Sequence, residues 1–448
     1  MHLIESTLLK SVSQYPDMPL VIAYSGGVDS QVLLHALAIL NQKKRVLNPI
    51  VVCHVNHGIS KNSAAWQAFA EQACSKLKLN LKVCQVNVQA QPQQSLEALA
   101  RDARYQALQS INSAPSLILT GHHSDDQAET FLLALKRGSG LKGLSAMTGQ
   151  TRQGKCLLLR PLLNITRAQI LEYAQQLRLN WVEDESNTDT CFDRNFLRND
   201  IIPLLINRWP SIVNTINRSS DHCREGQLLL DELAADDLNL CQYDSKSLSI
   251  EPLKQLSQSR FNNLIRYFLA QHQCLMPSTE QLAQLYLQLN AADDRAPAVK
   301  VGEYYLRRYK GILYLTTQFE DVSDWLVELD LSDNESFIEL PDHLGKLHFV
   351  KAVFDNVQKA TQRIVLPAKA QKVTLRFSHN NPSCLPDYRN HSRSLKKVLQ
   401  ELNIPTWQRK RIPFLYYDDE FVAAIGFFVC QAYVVKESQP SLHMSWDS

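Results

Sequence analysis

Short apolar runs separated by stretches of helical spacing fill the first 160 residues, and this alternation restricts the fold more than any other feature of the chain. Residues 20–24, 50–55, 81–88, 117–120 and 156–159 read as strands, and residues 30–40, 63–77, 95–108 and 125–136 read as helices. Strands alternating with helices of this length form βα units on a mainly parallel sheet, so an α/β N-terminal domain is expected. Ligands of such sheets sit beyond the carboxyl ends of the strands, which places the chemistry in the loops that follow them.

The pattern changes after residue 216. Residues 216–290 look helical and residues 299–315 strand-like, which gives a mostly helical middle domain. The polar stretch 356–372, with Pro367, lacks periodicity and reads as a linker or the start of a third unit. The last eighty residues mix strand-like runs (373–377, 414–417, 421–429) with a short helix (395–402), a small α+β domain. The expected division is 1–215, 216–357 and 358–448, in keeping with 448 residues at roughly 150 per domain.

Composition removes several classes. With 45% hydrophobic and 21% charged residues the chain is too apolar to be disordered. Ten cysteines without a single CxxC offer neither a disulfide framework nor a structural zinc site, and they read as free thiols in a reducing compartment. His54-x-x-His57 has no cysteine or carboxylate partner that would make it a zinc site. No secretory signal is read at the start, and the most apolar stretch, 421–430, is too short to span a bilayer. A cytoplasmic protein without a membrane partner is expected.

The most informative loop is Ser25-Gly26-Gly27-Val28-Asp29-Ser30, between the first strand and first helix. Two glycines let the backbone curl close to a ligand, the helix start adds N–H groups and partial positive charge, and the serines add hydroxyls. Phosphate is the natural guest of such a nest. The lysine of a Walker loop is absent, and the spacing is not GxGxxG. A tight strand–helix turn with Asp29 as its cap is the competing reading of the loop alone.

The segment resembles the SGGxDS loop of the ATP-pyrophosphatase (PP-loop) family, whose fold is adenine nucleotide α-hydrolase-like. That resemblance implies ATP cleaved between its α- and β-phosphates, with Ser25, Gly26, Gly27, Val28, Asp29 and Ser30 holding the pyrophosphate and Asp29 beside magnesium. Further stretches resemble one branch of it. They are His54–Gly58, Ser95–Tyr105, Thr120–Thr130 running on to Arg137-Gly138-Ser139-Gly140, Arg160–Leu163, Trp181–Asn187, and Arg194-Asn195 with Arg198. Together they are similar to the tRNA(Ile)-lysidine synthetase family, almost unbroken to about residue 203, and residues 395–413 resemble its C-terminal domain. The middle third matches only loosely.

The resemblance implies a carbon–nitrogen ligase. ATP adenylates the C2 oxygen of the wobble cytidine in an isoleucine tRNA with a CAU anticodon, and the ε-amine of free L-lysine then displaces AMP. Family members are often dimeric, so a homodimer is a further expectation.

Chemistry gives these residues work. Free lysine, with a pKa of about 10.4, costs about 4.6 kcal/mol to neutralise at pH 7, so the reaction needs a carboxylate for the ammonium and a group to take its proton. His122, Asp126 and Glu129 fall at i, i+4 and i+7, one face of a helix that begins early enough. Asp126 and Glu129 suit lysine binding or proton transfer, and Asp126 with Asp29 suits magnesium; the division between these roles stays open. Arg101 or Arg104 suits the α-phosphate or the cytidine, His57 the ATP crevice, and His122 the α-phosphate. First-turn acids that merely complement a helix dipole, and arginines on a solvated face, are the plainer alternatives.

Between Arg389 and Arg411 stand seven basic residues (389, 393, 396, 397, 409, 410, 411) against Glu401 alone, +6 in a chain of net charge +2. Arg389, Arg393, Lys396, Lys397, Arg409, Lys410 and Arg411 are therefore expected on tRNA phosphates, with Arg194 and Arg198 as further contacts. Residues 181–193 hold five acids and no base, and suit a cation or the lysine substrate. Competing functions are a PP-loop tRNA thiolase, which would use paired cysteines, an amide-forming PP-loop synthetase, which would need an ammonia source, and a noncatalytic tRNA-binding relative.

Overall fold

The computed structural model describes residues 1–56, 58, 61–86, 96–290, 298–352, 362–368, 370–436 and 439–447. The chain divides into two compact units, Met1–Leu230 and Asp231–Ser448. No helix among the described residues is long and apolar enough to cross a membrane.

The first unit follows the βα pattern. After α1 (Leu3–Val12) come β1 (Leu20–Ala23), α2 (Val28–Gln42), β2 (Ile50–Asn56), α3 (Ser63–Leu77), β3 (Asn80–Gln85), α4 (Leu96–Ser110), β4 (Leu117–Leu119) and α5 (Ser124–Lys136). The short α6 (Leu141–Leu144), β5 (Gln150–Gln153), β6 (Cys156–Leu159), α7 (Arg167–Gln176), α8 (Asp193–Phe196), α9 (Ile202–Arg208) and the first part of α10 (Ile212–Cys241), which runs on into the second unit, complete it. The strand order is β3-β2-β1-β4-β6-β5, parallel except for β5. Alternate strand residues go to opposite faces. Leu20, Ile22, Leu117 and Leu119 join α1, α2 and α7 in one core, while Val21, Cys53, Ile118 and Leu158 pack with Tyr105 and Leu108 of α4 in another. Burial on both faces is why these strands read as unbroken apolar runs. β2 and β4 flank β1, so the loops after β1 and β4 border the point where strand order reverses.

Sequence reading did not foresee α1, α7 or β5. For α7 the signal was available. Thr166 Oγ1 accepts from the Gln169 N–H (3.2 Å) and Gln169 Oε1 accepts from the Thr166 N–H (2.9 Å), a capping box written as Thr-x-x-Gln. The expected domain boundary at 216 falls inside α10, a 30-residue helix.

In the second unit, α11 (Ile250–Lys254), α12 (Gln258–Gln271) and α13 (Thr279–Gln288) accompany a five-stranded antiparallel sheet. Its strands are β7 (Gln242–Asp244), β8 (Ser247–Ser249), β9 (Ala298–Val301), β10 (Tyr304–Tyr309) and β11 (Ile312–Thr317). Phe261, Leu264, Ile265, Phe268 and Leu269 bury the apolar face of α12 against Val299, Leu306 and Leu313. Two further antiparallel sheets follow. One contains β12 (Leu326–Glu328), β16 (Val373–Arg376), β19 (Phe414–Tyr417), β20 (Glu420–Ala424) and β21 (Phe428–Val429). The other contains β13 (Glu335–Glu339), β14 (Lys346–Ala352), β15 (Gln362–Val365) and β22 (Ser441–Asp447). The stretch expected as linker thus includes a strand, β15, whose partner β22 lies some eighty residues later; residues 353–361 and 369 are outside the described set. A small ribbon of β17 (Ser383–Cys384) and β18 (Arg393–Ser394) leads into α14 (Leu395–Glu401) and α15 (Thr406–Arg409).

Candidate active site

The phosphate loop leaves β1 and enters α2 through Gly26 and Gly27. Gly26 has φ +91°, and a Cβ there would stand 2.8 Å from Val182 Cγ2, so both backbone and space require glycine. The Val182 N–H donates to the Gly26 carbonyl (3.0 Å) and buttresses the loop. Ser30 Oγ is the hub. It accepts from the N–H groups of Ser25 (3.3 Å) and Gly26 (3.1 Å) and donates to the Gly27 carbonyl (2.9 Å). Ser25 Oγ lies 3.1 Å from it. The serine hydroxyls therefore shape the nest, while the N-terminus of the 15-residue α2, which no side chain caps, supplies its positive end.

The loop after β4 meets this nest backbone to backbone. A Cβ on Gly121 would fall 2.9 Å from the Asp29 carbonyl carbon and 3.1 Å from Ser30 N. Only glycine permits so close an approach, and it sets the residues that follow against the phosphate loop. Nothing in the motif Thr120–Thr130 by itself assigns Gly121 this part.

His123, also without an assigned part, is the centre of charge. It is 1% exposed. Its Nε2 lies 3.6 Å from Asp29 Oδ1 and 3.4 Å from Asp126 Oδ2, and its Nδ1 lies 3.7 Å from Asp125 Oδ2. Burial alone would lower its pKa, but these three carboxylates outweigh burial and raise it. Asp29 Oδ2 also faces Arg167 Nη1 at 3.7 Å, and the Arg167 backbone N–H donates to Asp125 Oδ2 (2.9 Å).

α5 begins at Ser124, so His122 precedes the helix and does not share its face with Asp126 and Glu129 as expected. Its Nδ1 lies 2.8 Å from Thr120 Oγ1. Desolvation pushes the His122 pKa down to about 4; Asp126 opposes this, and the cations Arg160, Arg194 and Arg101 reinforce it. His122 is thus neutral at pH 7, an imidazole that offers hydrogen bonds but gains a proton only with difficulty. Arg160, which sequence reading left without a role, is buried and donates to the Thr148 carbonyl (2.8 Å) and Thr151 Oγ1 (3.0 Å).

Asp126 and Glu129 project from one side of α5 and are buried. Asp126 Oδ2 accepts from the His123 N–H (3.0 Å). Two arginines expected on tRNA lie against these acids. Arg194 reaches Glu129 Oε2 (2.7 Å) and Asp126 Oδ1 (3.3 Å); Arg198 reaches Glu129 Oε1 (2.6 Å) and Asp126 Oδ1 (2.9 Å). Burial would raise the Asp126 pKa, but His123, Arg194 and the His123 N–H hold it below the usual carboxylate range. Arg101 and Arg104 are exposed on α4, with the Arg101 guanidinium 5.4 Å from the Tyr105 ring. His57 lies outside the described residues. Among the described residues no three His, Cys, Asp or Glu side chains are grouped to hold a metal ion.

The basic segment of the second unit sorts into two kinds of residue. Arg389 pairs with Glu401, and Arg393 stands 3.6 Å from it. Arg409 donates to Tyr309 Oη (2.7 Å) and the Ile404 carbonyl (2.8 Å), and Arg411 pairs with Asp342 in a half-buried setting. Trp407 packs edge-on against Tyr309 and Tyr314. Lys396, Lys397 and Lys410 are exposed, with no side-chain ion pair among the described residues.

Comparison with known proteins agrees along most of the chain. Residues 1–205 match a family model described as a PP-loop domain, residues 248–314 a TilS substrate binding domain, and residues 373–446 a TilS substrate C-terminal domain. The tRNA(Ile)-lysidine synthase of Serratia proteamaculans is 43% identical over 428 residues, 95% of each chain. That of Yersinia pseudotuberculosis is 40% identical over 439 residues, again 95% of each, and that of Coxiella burnetii 39% identical over 419 residues, 93% of this chain and 90% of the relative.

Proposed function

This chain belongs to the tRNA(Ile)-lysidine synthase family, is an ATP-dependent ligase of tRNA(Ile)-lysidine synthesis, and we propose that its β1 loop handles ATP while the acids of α5 handle lysine. The supporting observation is the backbone contact of Gly121 with Asp29 and Ser30, which brings the α5 acids to the edge of the phosphate nest. ATP phosphates rest on the curled backbone of Gly26 and Gly27 and on the start of α2. The wobble cytidine of a CAU-anticodon isoleucine tRNA is adenylated at its C2 oxygen as pyrophosphate leaves. The ε-amine of free lysine then attacks C2 and AMP departs.

We assign the lysine ammonium and the removal of its proton to Asp126 and Glu129, because a carboxylate suits both tasks, and the α-phosphate to His122. Arg194 and Arg198 act on these acids: they keep Asp126 ionised and give the buried Glu129 its counter-charges. Asp29 Oδ1 is buried without a hydrogen-bond partner, which suits a magnesium ion that takes its other ligands from phosphate and water. Magnesium there would offset charge building on the leaving pyrophosphate. We assign tRNA phosphates to Lys396, Lys397 and Lys410, whose exposed ammonium groups support that reading.

The test is transfer of labelled lysine to CAU-anticodon isoleucine tRNA with ATP and magnesium, beside a methionine tRNA of the same anticodon. Label is expected in the isoleucine tRNA, and its absence while that tRNA is demonstrably bound refutes the reading. Asp29→Ala should abolish AMP formation; unchanged AMP release would remove Asp29 from the site.

A further inference from the structure

The C-terminal end of α5 carries a surface that neither the ATP loop nor the acid pair explains. α5 runs on into Arg137-Gly138-Ser139-Gly140 and the short α6. Arg137 and Lys142 are exposed, and among the described residues neither side chain has an ion-pair or hydrogen-bond partner. Gly138 is needed by the turn, with φ +65°. Gly140 is not: its φ is −75° and nothing lies within 4 Å of where its Cβ would be. A glycine the fold does not require, between two unpartnered cations, suits close approach by a ligand to the backbone.

A second segment joins this loop. Lys136 Nζ donates to both oxygens of Asp193 (2.6 and 2.7 Å), which pins the start of α8 to the end of α5. Phe192 and Phe196 flank that pin and are 50% and 44% exposed. Arg194, set between them on the other side of the turn, reaches back to Glu129. The segment therefore turns its arginines onto the acids and leaves both phenyl rings about half exposed. Two cations, an open glycine and two half-exposed rings, on two segments tied together by Lys136 and Asp193, make a surface for phosphates and stacked bases together. Arg137 lies eight residues beyond Glu129, about 12 Å along the helix, or roughly three to four stacked nucleotides at about 3.4 Å each.

We propose that Arg137, Gly140 and Lys142, with Phe192 and Phe196, form the contact surface for single-stranded tRNA flanking the nucleotide being modified. The inference rests on the lysidine reading for the identity of its RNA. Phosphates lie on Arg137 and Lys142 and against the Gly140 backbone, and unpaired bases stack on the two phenyl rings.

The test uses the full-length protein and an RNA hairpin with a CAU-containing loop, without ATP or lysine, so that binding is read apart from chemistry. R137Q/K142Q should weaken hairpin binding about tenfold and flatten the plot of log affinity against log salt by about 1.4, two contacts at about 0.7 each for single-stranded RNA. F192S/F196S should weaken binding at least about thirtyfold with the salt slope unchanged. Gly140→Ala should weaken binding while the melting temperature holds, since the fold has room for the methyl group. Hairpin affinities of both double variants within twofold of the unaltered protein would overturn the proposal, as would a change confined to self-association. Failure of the lysidine reading would show differently, as absence of lysine label in whole tRNA with the unaltered protein.

Discussion

Arg411 lies in a segment of net charge +6, yet its guanidinium is turned onto Asp342 and away from solvent. Burial would raise the Asp342 pKa, but the hydrogen bonds from Arg411 and from the Glu320 N–H prevail and hold it below the ordinary value of 3.8. A carboxylate with a depressed folded pKa contributes stability that is complete above its unfolded pKa and is lost as pH falls through the folded one. Arg411→Gln should therefore cost about 1–3 kcal/mol at pH 7, and urea unfolding should show the gap to the unaltered protein closing below about pH 3.8. The same substitution should leave the salt dependence of tRNA binding unaltered. At this scale the sequence shows the kind of chemistry better than the side chain that performs it. The phosphate loop is legible because its glycines and serines serve local backbone geometry. His123 is not distinguishable from His122 until α5 is seen to start at Ser124, which places one ring among three carboxylates and the other beside Thr120.

Elements bring distant residues to the acids. The turn from α8 through the π-helical residues Leu197–Ile201 lays Arg194 and Arg198 along α5, where they hold a Glu129 that is only 1% exposed. Such a π-helical segment is often found at functional sites. Loss of one partner from a buried pair exposes the other to its full desolvation cost, so Arg198→Ala should destabilise by about 3 kcal/mol, moderated by the remaining Arg194. Arg198→Ala combined with Glu129→Ala should cost less than the sum of the single changes, with a coupling of about 1–3 kcal/mol from chemical unfolding. Additive effects would show that the contact carries no energy. The elements legible in the sequence are those with a strong local period, such as β1, α2 and β4. β15 was not, because its four residues become a strand only through pairing with β22, and that partner is remote in sequence. The pairing of α8 with α5 is likewise nonlocal, and for that reason Arg194 and Arg198 read in the sequence as tRNA contacts.

Across the whole molecule, a net charge of +2 leaves no general attraction for RNA, so binding must depend on where unpaired cations remain. Within the second unit, intramolecular contacts occupy Arg389, Arg409 and Arg411, while lysines 396, 397 and 410 are exposed, which is why the proposal gives them the tRNA phosphates. The ATP nest and the α5 acids belong entirely to the first unit. The part of the grip that these lysines carry should therefore be adjustable without changing the chemistry. Replacing Lys396, Lys397 and Lys410 by Gln should raise KM for tRNA at least tenfold and flatten the salt slope by up to about 2.7, three duplex phosphate contacts at about 0.9 each. The kcat at saturating tRNA should stay within about twofold if these lysines serve grip alone. Asp29→Ala should do the reverse, removing turnover with tRNA affinity retained. A triple-lysine variant that lost kcat in proportion to its affinity would mean that the basic face also orients the nucleotide at the acids, and that grip and catalysis are one function of the two units together.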